Sequence, residues 1–172
     1  MNLQSNDFEL FGVDQQFDQD RAALDARWKE LQREAHPDKF AAQGEAAQRL
    51  AMQWSVRINE AYQRLKNPLK RAAYLCELAG APINAHSNTA MPSAFLMQQM
   101  EWREELDDAR SEDALDALRE NVGTAQCELL QTCATLLDVT HDYPAAVQSV
   151  RALMFIEKFA HDLDRAFDKF ET

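Results

Sequence analysis

Three consecutive residues, His36, Pro37 and Asp38, combine an imidazole, a rigid backbone and a carboxylate. Arg33 and Lys29 precede His36 by three and seven residues, a spacing that puts both cations on the helical face leading into the tripeptide. Such a set of charges could recognise another protein. It is equally typical of a proline turn beside a solvated charged face, and a tripeptide alone does not decide between the two.

A second cluster of candidate residues lies on one predicted helix in the middle of the chain. At about 100° per residue on a helical wheel, Phe95, Trp102 and Leu106 fall within about 40° of one another and predict one buried stripe. A second apolar arc, roughly 100° to 200° away from Phe95, is formed by Leu96, Met97 and Met100. This arc is either a wider core, in which methionine fills gaps, or an exposed apolar patch.

Two further features bear on that second arc. Glu101 and Glu104 border it, as the polar rim of a binding site would. Phe155, on the last predicted helix, could extend the same patch or pack in the core. It lies at the edge of a stripe formed by Phe159, Leu163 and Phe170.

The remaining candidates do not form a catalytic or metal-binding pattern. His86, His141 and His161 lie far apart without ligands at metal-binding spacing, and the acidic pair Glu104-Glu105 is typical of a solvated face. The glycine-rich, Walker and GxSxG motifs of nucleotide-binding and hydrolytic enzymes are absent from the sequence. We therefore expect a binding protein that is not an enzyme, without a cofactor and without a metal site.

The charge distribution narrows the choice of partner. Residues 80–172 contain 7 basic against 17 acidic residues, whereas residues 1–79 are close to neutral. An acidic half repels phosphate backbones and anionic lipids, so we expect protein partners, with no nucleic acid and no membrane.

The compartment is indicated by the N-terminus and the cysteines. The N-terminus lacks the basic region and apolar run of a secretory signal, and no stretch approaches the roughly 20 apolar residues of a membrane span. Cys76, Cys127 and Cys133 lie in apolar helical patterns without CxxC spacing, which predicts buried, reduced thiols. These features predict a cytoplasmic protein.

The N-terminal half shows helical periodicity, which predicts an all-α fold. Residues 8–11 predict one short helical turn closed by Gly12. Leu24, Trp28, Leu31 and Ala35 then predict an amphipathic helix that begins after Asp18 as N-cap and ends at His36. Pro37 ends it, because proline disfavours the helical conformation of the residue before it. The tripeptide is thus expected in a loop between two helices.

The rest of the chain is also predicted to be helical. A long helix follows Gly44 and ends at Asn67, and Pro68 opens another that runs through Leu78. Residues 80–91, rich in proline and small polar residues, predict a linker between a domain at 1–79 and a domain at 92–172. The second domain contains three helical patterns with short connections, Pro92–Asp108, Glu112–Asp138 and Tyr143–Phe170, which predict a three-helix bundle.

Several motifs resemble those of a known family, the J-domain proteins, in which HPD joins an antiparallel helix pair. The similarity continues through His36-Pro37-Asp38-Lys39-Phe40, Ile58-Asn59-Glu60-Ala61-Tyr62 and the stretch from Pro68 to Tyr74. Beyond the linker, Phe95-Leu96-Met97-Gln98-Gln99-Met100-Glu101-Trp102-Arg103-Glu104-Glu105-Leu106 resembles the specialised iron–sulfur co-chaperones of the HscB family. The resemblance implies an N-terminal J domain, an antiparallel helical hairpin with an HPD loop, followed by the helical bundle.

The resemblance also implies a function. The J domain would stimulate the ATPase of a DnaK-class, HscA-type chaperone, and the bundle would deliver the IscU-type iron–sulfur scaffold protein to it. The alternative is a general J-protein for unfolded clients, which would more often carry a Gly/Phe-rich linker or a cysteine-repeat zinc domain. Chaperone binding is implied for Lys29, Arg33, His36, Pro37 and Asp38, together with Arg27, which lies off the basic stripe. Scaffold binding is implied for Leu96, Met97, Met100, Glu101, Glu104 and Phe155.

Overall fold

The computed structural model describes residues 2–84 and 91–171, and within these ranges every regular element is a helix. The predicted linker residues 85–90, including His86, lie outside the described residues. The α-helices are α1 (Asp7–Phe11), α2 (Arg21–Glu34), α3 (Glu45–Lys66), α4 (Pro68–Leu78), α5 (Ser93–Asp108), α6 (Glu112–Asp138) and α7 (Tyr143–Glu171). The chain divides into two compact units, Met1–Leu75 and Cys76–Thr172. The domain bounds at residues 79 and 92 stay a prediction.

The first unit is built on the hairpin of α2 and α3. Tyr62 donates a hydrogen bond to Asp25, and Gln32 donates one to the carbonyl of Ser55, so residue numbers rise on one helix as they fall on the other. The two helices are therefore antiparallel, as expected. Between them lies a core of Leu24, Leu31, Ile58, Ala61 and Leu65.

The start of α2 differs from the expectation. Asp20, not Asp18, is the N-cap, because its carboxylate lies directly before the first helical residue and accepts the amide of Ala22 at 3.0 Å. At the other end the helix stops at Glu34, three residues before Pro37. The segment after it was expected to be a loop but forms a 3₁₀ helix, Pro37–Gln43. Such a helix is stabilised by hydrogen bonds between near neighbours and has no apolar stripe in the sequence that would reveal it.

A wholly buried carboxylate fastens α1 to the hairpin. The Asp7 oxygens lie 2.8 Å from Arg57 Nη1 and 2.7 Å from Arg64 Nε, and the Asp7 amide donates to the hydroxyl of Tyr74. Burial raises the pKa of Tyr74 above its usual value. A charge without exposed surface is stable only when it is paired, so these contacts fix the short N-terminal helix on α3 and α4.

The second unit contains the bundle of α5, α6 and α7. Arg119 pairs with Asp164, and the hydroxyl of Ser149 donates a hydrogen bond to the sulfur of Cys133, so α6 and α7 are antiparallel. The ring pair Trp102 and Phe159 and the ion pair Arg103 and Asp162 make α5 and α7 run in the same direction. The buried core consists of Trp102, Leu115, Leu118, Val122, Ile156, Phe159 and Leu163.

The structure confirms the buried stripe predicted on α5, and the stripe on α7 is buried over part of its length. Trp102 is buried and Phe95 and Leu106 pack against the core, as the helical wheel predicts. On α7, Phe159 and Leu163 are buried, whereas Phe170 of the same stripe is 42% exposed. It lies in the last turn of α7, one turn beyond Phe167, which still packs on the core cluster.

Within the second unit, the segment before the undescribed residues is anchored to α7. Ile83 is buried, and its carbonyl accepts hydrogen bonds from Arg151 Nε at 2.9 Å and Nη2 at 2.7 Å. Arg151 itself is only 7% exposed, so this carbonyl satisfies a buried guanidinium on α7.

Candidate functional site

The HPD tripeptide lies at the junction between the end of α2 and the 3₁₀ helix. Ser55 on α3 donates to the carbonyl of Ala35, the residue before the tripeptide, at 3.3 Å. This contact, together with that from Gln32 to Ser55, attaches the end of α2 to the rigid hairpin. The Asp38 side chain is 93% exposed. The fold therefore presents a carboxylate to solvent directly after a helix end that is attached to the hairpin.

A basic cleft of about 510 Å³ adjoins the tripeptide. It is lined by Trp28, Lys29, Gln32, Arg33, His36 and Lys39. The ring of Trp28 stacks on Tyr62 at 4.7 Å between centroids, and this contact fixes the helical face from which the cations project. Lys29, Arg33 and His36 thus meet in one place, as their spacing predicts.

Three residues that line the cleft, Trp28, Gln32 and Lys39, were missed, and one expected residue, Arg27, lies elsewhere. Lys39 adds a cation that was identified only as part of the motif, and Trp28 was taken solely as a core residue. The position of Trp28 next to Lys29 and one turn before Gln32 was the available signal. Arg27 is not among the lining residues and pairs with Glu30 at 3.1 Å.

The second arc of α5 is exposed. Leu96 is 43%, Met97 62% and Met100 65% exposed, and Phe155 on α7 is 37% exposed. Large apolar side chains are therefore displayed together on two neighbouring helices, which decides against the wider-core interpretation of this arc.

A groove of about 420 Å³ between α5 and α7 brings part of this set together. Leu96, Met100 and Phe155 line it, and the ring of Phe155 lies 6.4 Å from that of Phe95. Met97 and the exposed Glu101 and Glu104 are not among the lining residues. Three polar side chains that the sequence analysis did not single out also line the groove: Gln99, Arg103 and Lys158.

One of these polar side chains is held in place. Arg103 Nη1 lies 3.0 Å from Asp162 Oδ2, and this hydrogen bond lowers the pKa of Asp162 below its usual value. Arg103 also lies over the ring of Phe159 at 5.1 Å. Because the ion pair is partly exposed to solvent, it contributes little to the free energy of unfolding. Its main effect is to orient the guanidinium at the edge of the groove.

Within residues 2–84 and 91–171, no group of three or more His, Cys, Asp and Glu side chains is arranged to hold a metal ion. In the same part of the chain, no helix is long and apolar enough to cross a membrane.

Comparison with known proteins covers both units. Residues 91–164 match the family described as the HSCB C-terminal oligomerisation domain. The chain is 51% identical over 160 residues to the co-chaperone protein HscB homologue of Bordetella petrii, covering 92% of this chain and 94% of that protein. It is 49% identical to the homologue of Burkholderia multivorans, covering 100% of this chain and 99% of the relative.

Solved structures agree with the sequence relatives. The chaperone HscB from Vibrio cholerae superposes with a TM-score of 0.83 at 37% identity, over 96% of this chain and 99% of that one. Human co-chaperone protein HscB superposes with a TM-score of 0.91 at 26% identity, over 100% of this chain and 86% of that one. With an HPD tripeptide on an antiparallel hairpin and an apolar patch on a helical bundle, the chain belongs to the HscB family of co-chaperones.

Proposed function

We propose that this protein stimulates the ATPase of a DnaK-class, HscA-type chaperone and delivers an IscU-type iron–sulfur scaffold protein to it in the cytoplasm. The proposal rests on membership of the co-chaperone family and on one observation above all. The carboxylate of Asp38 is almost fully exposed beside a cleft lined by three cations.

The charges of the first unit are suited to contact with a chaperone. Lys29, Arg33 and Lys39 attract an acidic surface and steer it to the tripeptide. Asp38 then pairs with an arginine of the chaperone through a charge-assisted hydrogen bond. The chain contributes no catalytic group in this scheme, since it acts by favouring the hydrolysing conformation of its partner.

The apolar patch of the second unit is suited to hold the scaffold. Leu96, Met100 and Phe155 expose apolar surface at a groove, and burial of such anchors supplies most of the free energy of a protein interface. Glu101 and Glu104 remain hydrated on the same helix as Met100, where they form a polar rim.

A pair of measurements with Asp38→Asn tests the proposal. This change removes the charge of an exposed side chain and leaves its size, so we expect helix content and scaffold binding to be unchanged. Stimulation of single-turnover ATP hydrolysis by the chaperone should be abolished, with or without scaffold. Asp14→Asn removes a charge from another exposed residue and serves as the matched control. Full stimulation by the Asp38→Asn variant would refute the proposed role of the tripeptide.

A further inference from the structure

The side chain of His36 makes a local contact within the tripeptide. Its Nδ1 atom accepts a hydrogen bond from the backbone amide of Asp38 at 3.2 Å, which makes His36 the N-cap of the 3₁₀ helix. The backbone of His36 is extended, with φ of −63° and ψ of 128°, as required of a residue before proline.

The first backbone positions of this short helix leave no amide hydrogen without an acceptor, because of His36 and Pro37. Pro37 has no amide hydrogen to leave unpaired at the first helical position. The amide of Asp38 donates to the imidazole, and the amide of Lys39 donates to the carbonyl of His36 at 3.0 Å. The amides that a helix start would otherwise leave without a partner are therefore accounted for.

This contact fixes the tautomer of the imidazole. A nitrogen that accepts a hydrogen bond carries a lone pair, so in the neutral ring the proton is on Nε2. The Nδ1 atom lies 3.7 Å from Asp38 Oδ2, but an unprotonated nitrogen cannot donate to that oxygen. The imidazole thus holds the backbone of Asp38 while the carboxylate stays 93% exposed.

We propose that His36 is a positioning residue, whose Nδ1 atom orders the backbone of Asp38 and so fixes the direction in which the Asp38 carboxylate meets the chaperone. The consequence for ATPase stimulation rests on the function proposed above. The cap itself is a property of the isolated chain. Loss of a helix N-cap lowers the population of the capped conformation by roughly 2- to 30-fold.

Two amide variants separate positioning from direct contact. In His36→Asn, Oδ1 is as many bonds from the backbone as Nδ1 of histidine, and asparagine is a preferred N-cap. In His36→Gln the same amide lies one methylene further out and is not placed to cap. We expect His36→Asn to stimulate single-turnover hydrolysis within about threefold of the unchanged chain, and His36→Gln to lose roughly 2- to 30-fold. Circular dichroism of both variants should match the unchanged chain.

The two variants and a spectroscopic measurement decide the proposal. If His36→Asn is not clearly more active than His36→Gln, the imidazole does not act through the cap and the proposal is overturned. Imidazole ¹⁵N spectra of the full chain, recorded on the neutral ring, should show Nδ1 of His36 unprotonated, and a proton on Nδ1 overturns the proposal as well. Should the unchanged chain fail to stimulate the chaperone, the proposed function fails, while the spectra still decide the cap.

Discussion

Arg64 and Asp7 form an ion pair in which Arg64 Nε lies 2.7 Å from a carboxylate oxygen without exposed surface. The second oxygen of Asp7 is paired with Arg57, whose side chain is 18% exposed, compared with 37% for Arg64. The anion is thus confined to the interior, while both cations reach solvent.

This asymmetry predicts unequal effects on stability. Asp7→Ala removes the buried charge and lets both arginines hydrate, so we expect a loss of about 3 kcal/mol, near the lower end for broken buried pairs. The double change Arg57→Met and Arg64→Met should destabilise the chain more, because it leaves a buried carboxylate unpaired. Urea unfolding followed by circular dichroism measures both, with Asp14→Ala as the surface control. Equal stability of the double variant and the unchanged chain would contradict this prediction.

The apolar patch predicts a loss of binding without a loss of folding. Leu96, Met100 and Phe155 are each more than a third exposed, so changing all three to alanine should have little effect on the thermal unfolding temperature. Truncating one desolvated anchor weakens an interface by about 1 to 3 kcal/mol, or roughly 5- to 150-fold in affinity. Calorimetric titration with the scaffold should therefore detect almost no binding.

A folding control outside the groove is Leu118→Ala. Leu118 is 1% exposed in the core of the bundle, so its truncation should lower the free energy of unfolding by about 2 to 5 kcal/mol. Unchanged scaffold affinity in a well-folded triple variant would remove the patch from the proposed function.

The basic cleft predicts a salt-dependent interaction. Changing Lys29 and Arg33 to alanine should raise the concentration of this protein needed for half-maximal ATPase stimulation, most strongly at low ionic strength. Arg27→Ala should have a smaller effect, because Arg27 pairs with Glu30 and does not line the cleft. Stimulation titrated at two salt concentrations tests this order. A greater effect of Arg27→Ala at low salt would show that the cleft is not the contact surface.

The three thiols should differ in reactivity. Burial raises the pKa of Cys76 to about 11 and that of Cys133 to about 12, whereas Cys127, which was expected to be buried, is exposed. Because the thiolate is the nucleophile, iodoacetamide should label the native chain at Cys127 only. Intact mass and peptide mapping measure the sites. The urea-unfolded chain should accept all three labels, and labelling of native Cys76 as fast as Cys127 would contradict the expected protection.

Residues with strong local signals were predicted well. Pro68 opens α4, and the predicted bounds of α6 agree with the structure, because proline and a long apolar period identify helices without knowledge of tertiary contacts. The exposure of Met97 and Met100 could not be decided in the same way, since a helical wheel does not show whether a second apolar arc also faces a neighbour.

Other features had no signal in the sequence pattern. The sequence pattern around Asp7 is typical of a surface acid in the first turn of a helix. Its burial is explained only by the tertiary contacts of α1 with Arg57 and Arg64. The 3₁₀ helix depends on hydrogen bonds between near neighbours and lacks a periodic apolar stripe. The imidazole cap within it depends on a rotamer, which spacing does not specify.

The contact between Arg151 and Ile83 sets a limit on how short an autonomous bundle can be. A truncated chain that starts at Pro92 would keep the buried guanidinium on α7 but lose its carbonyl acceptor. A buried cation without an acceptor is destabilising, so such a chain should melt well below one that starts at Gly80. In a nested series of N-terminal truncations, thermal stability should therefore drop when Ile83 is removed. In an Arg151→Met background, removal of Ile83 should lower the thermal stability less, because no buried cation is then left without a hydrogen-bond acceptor.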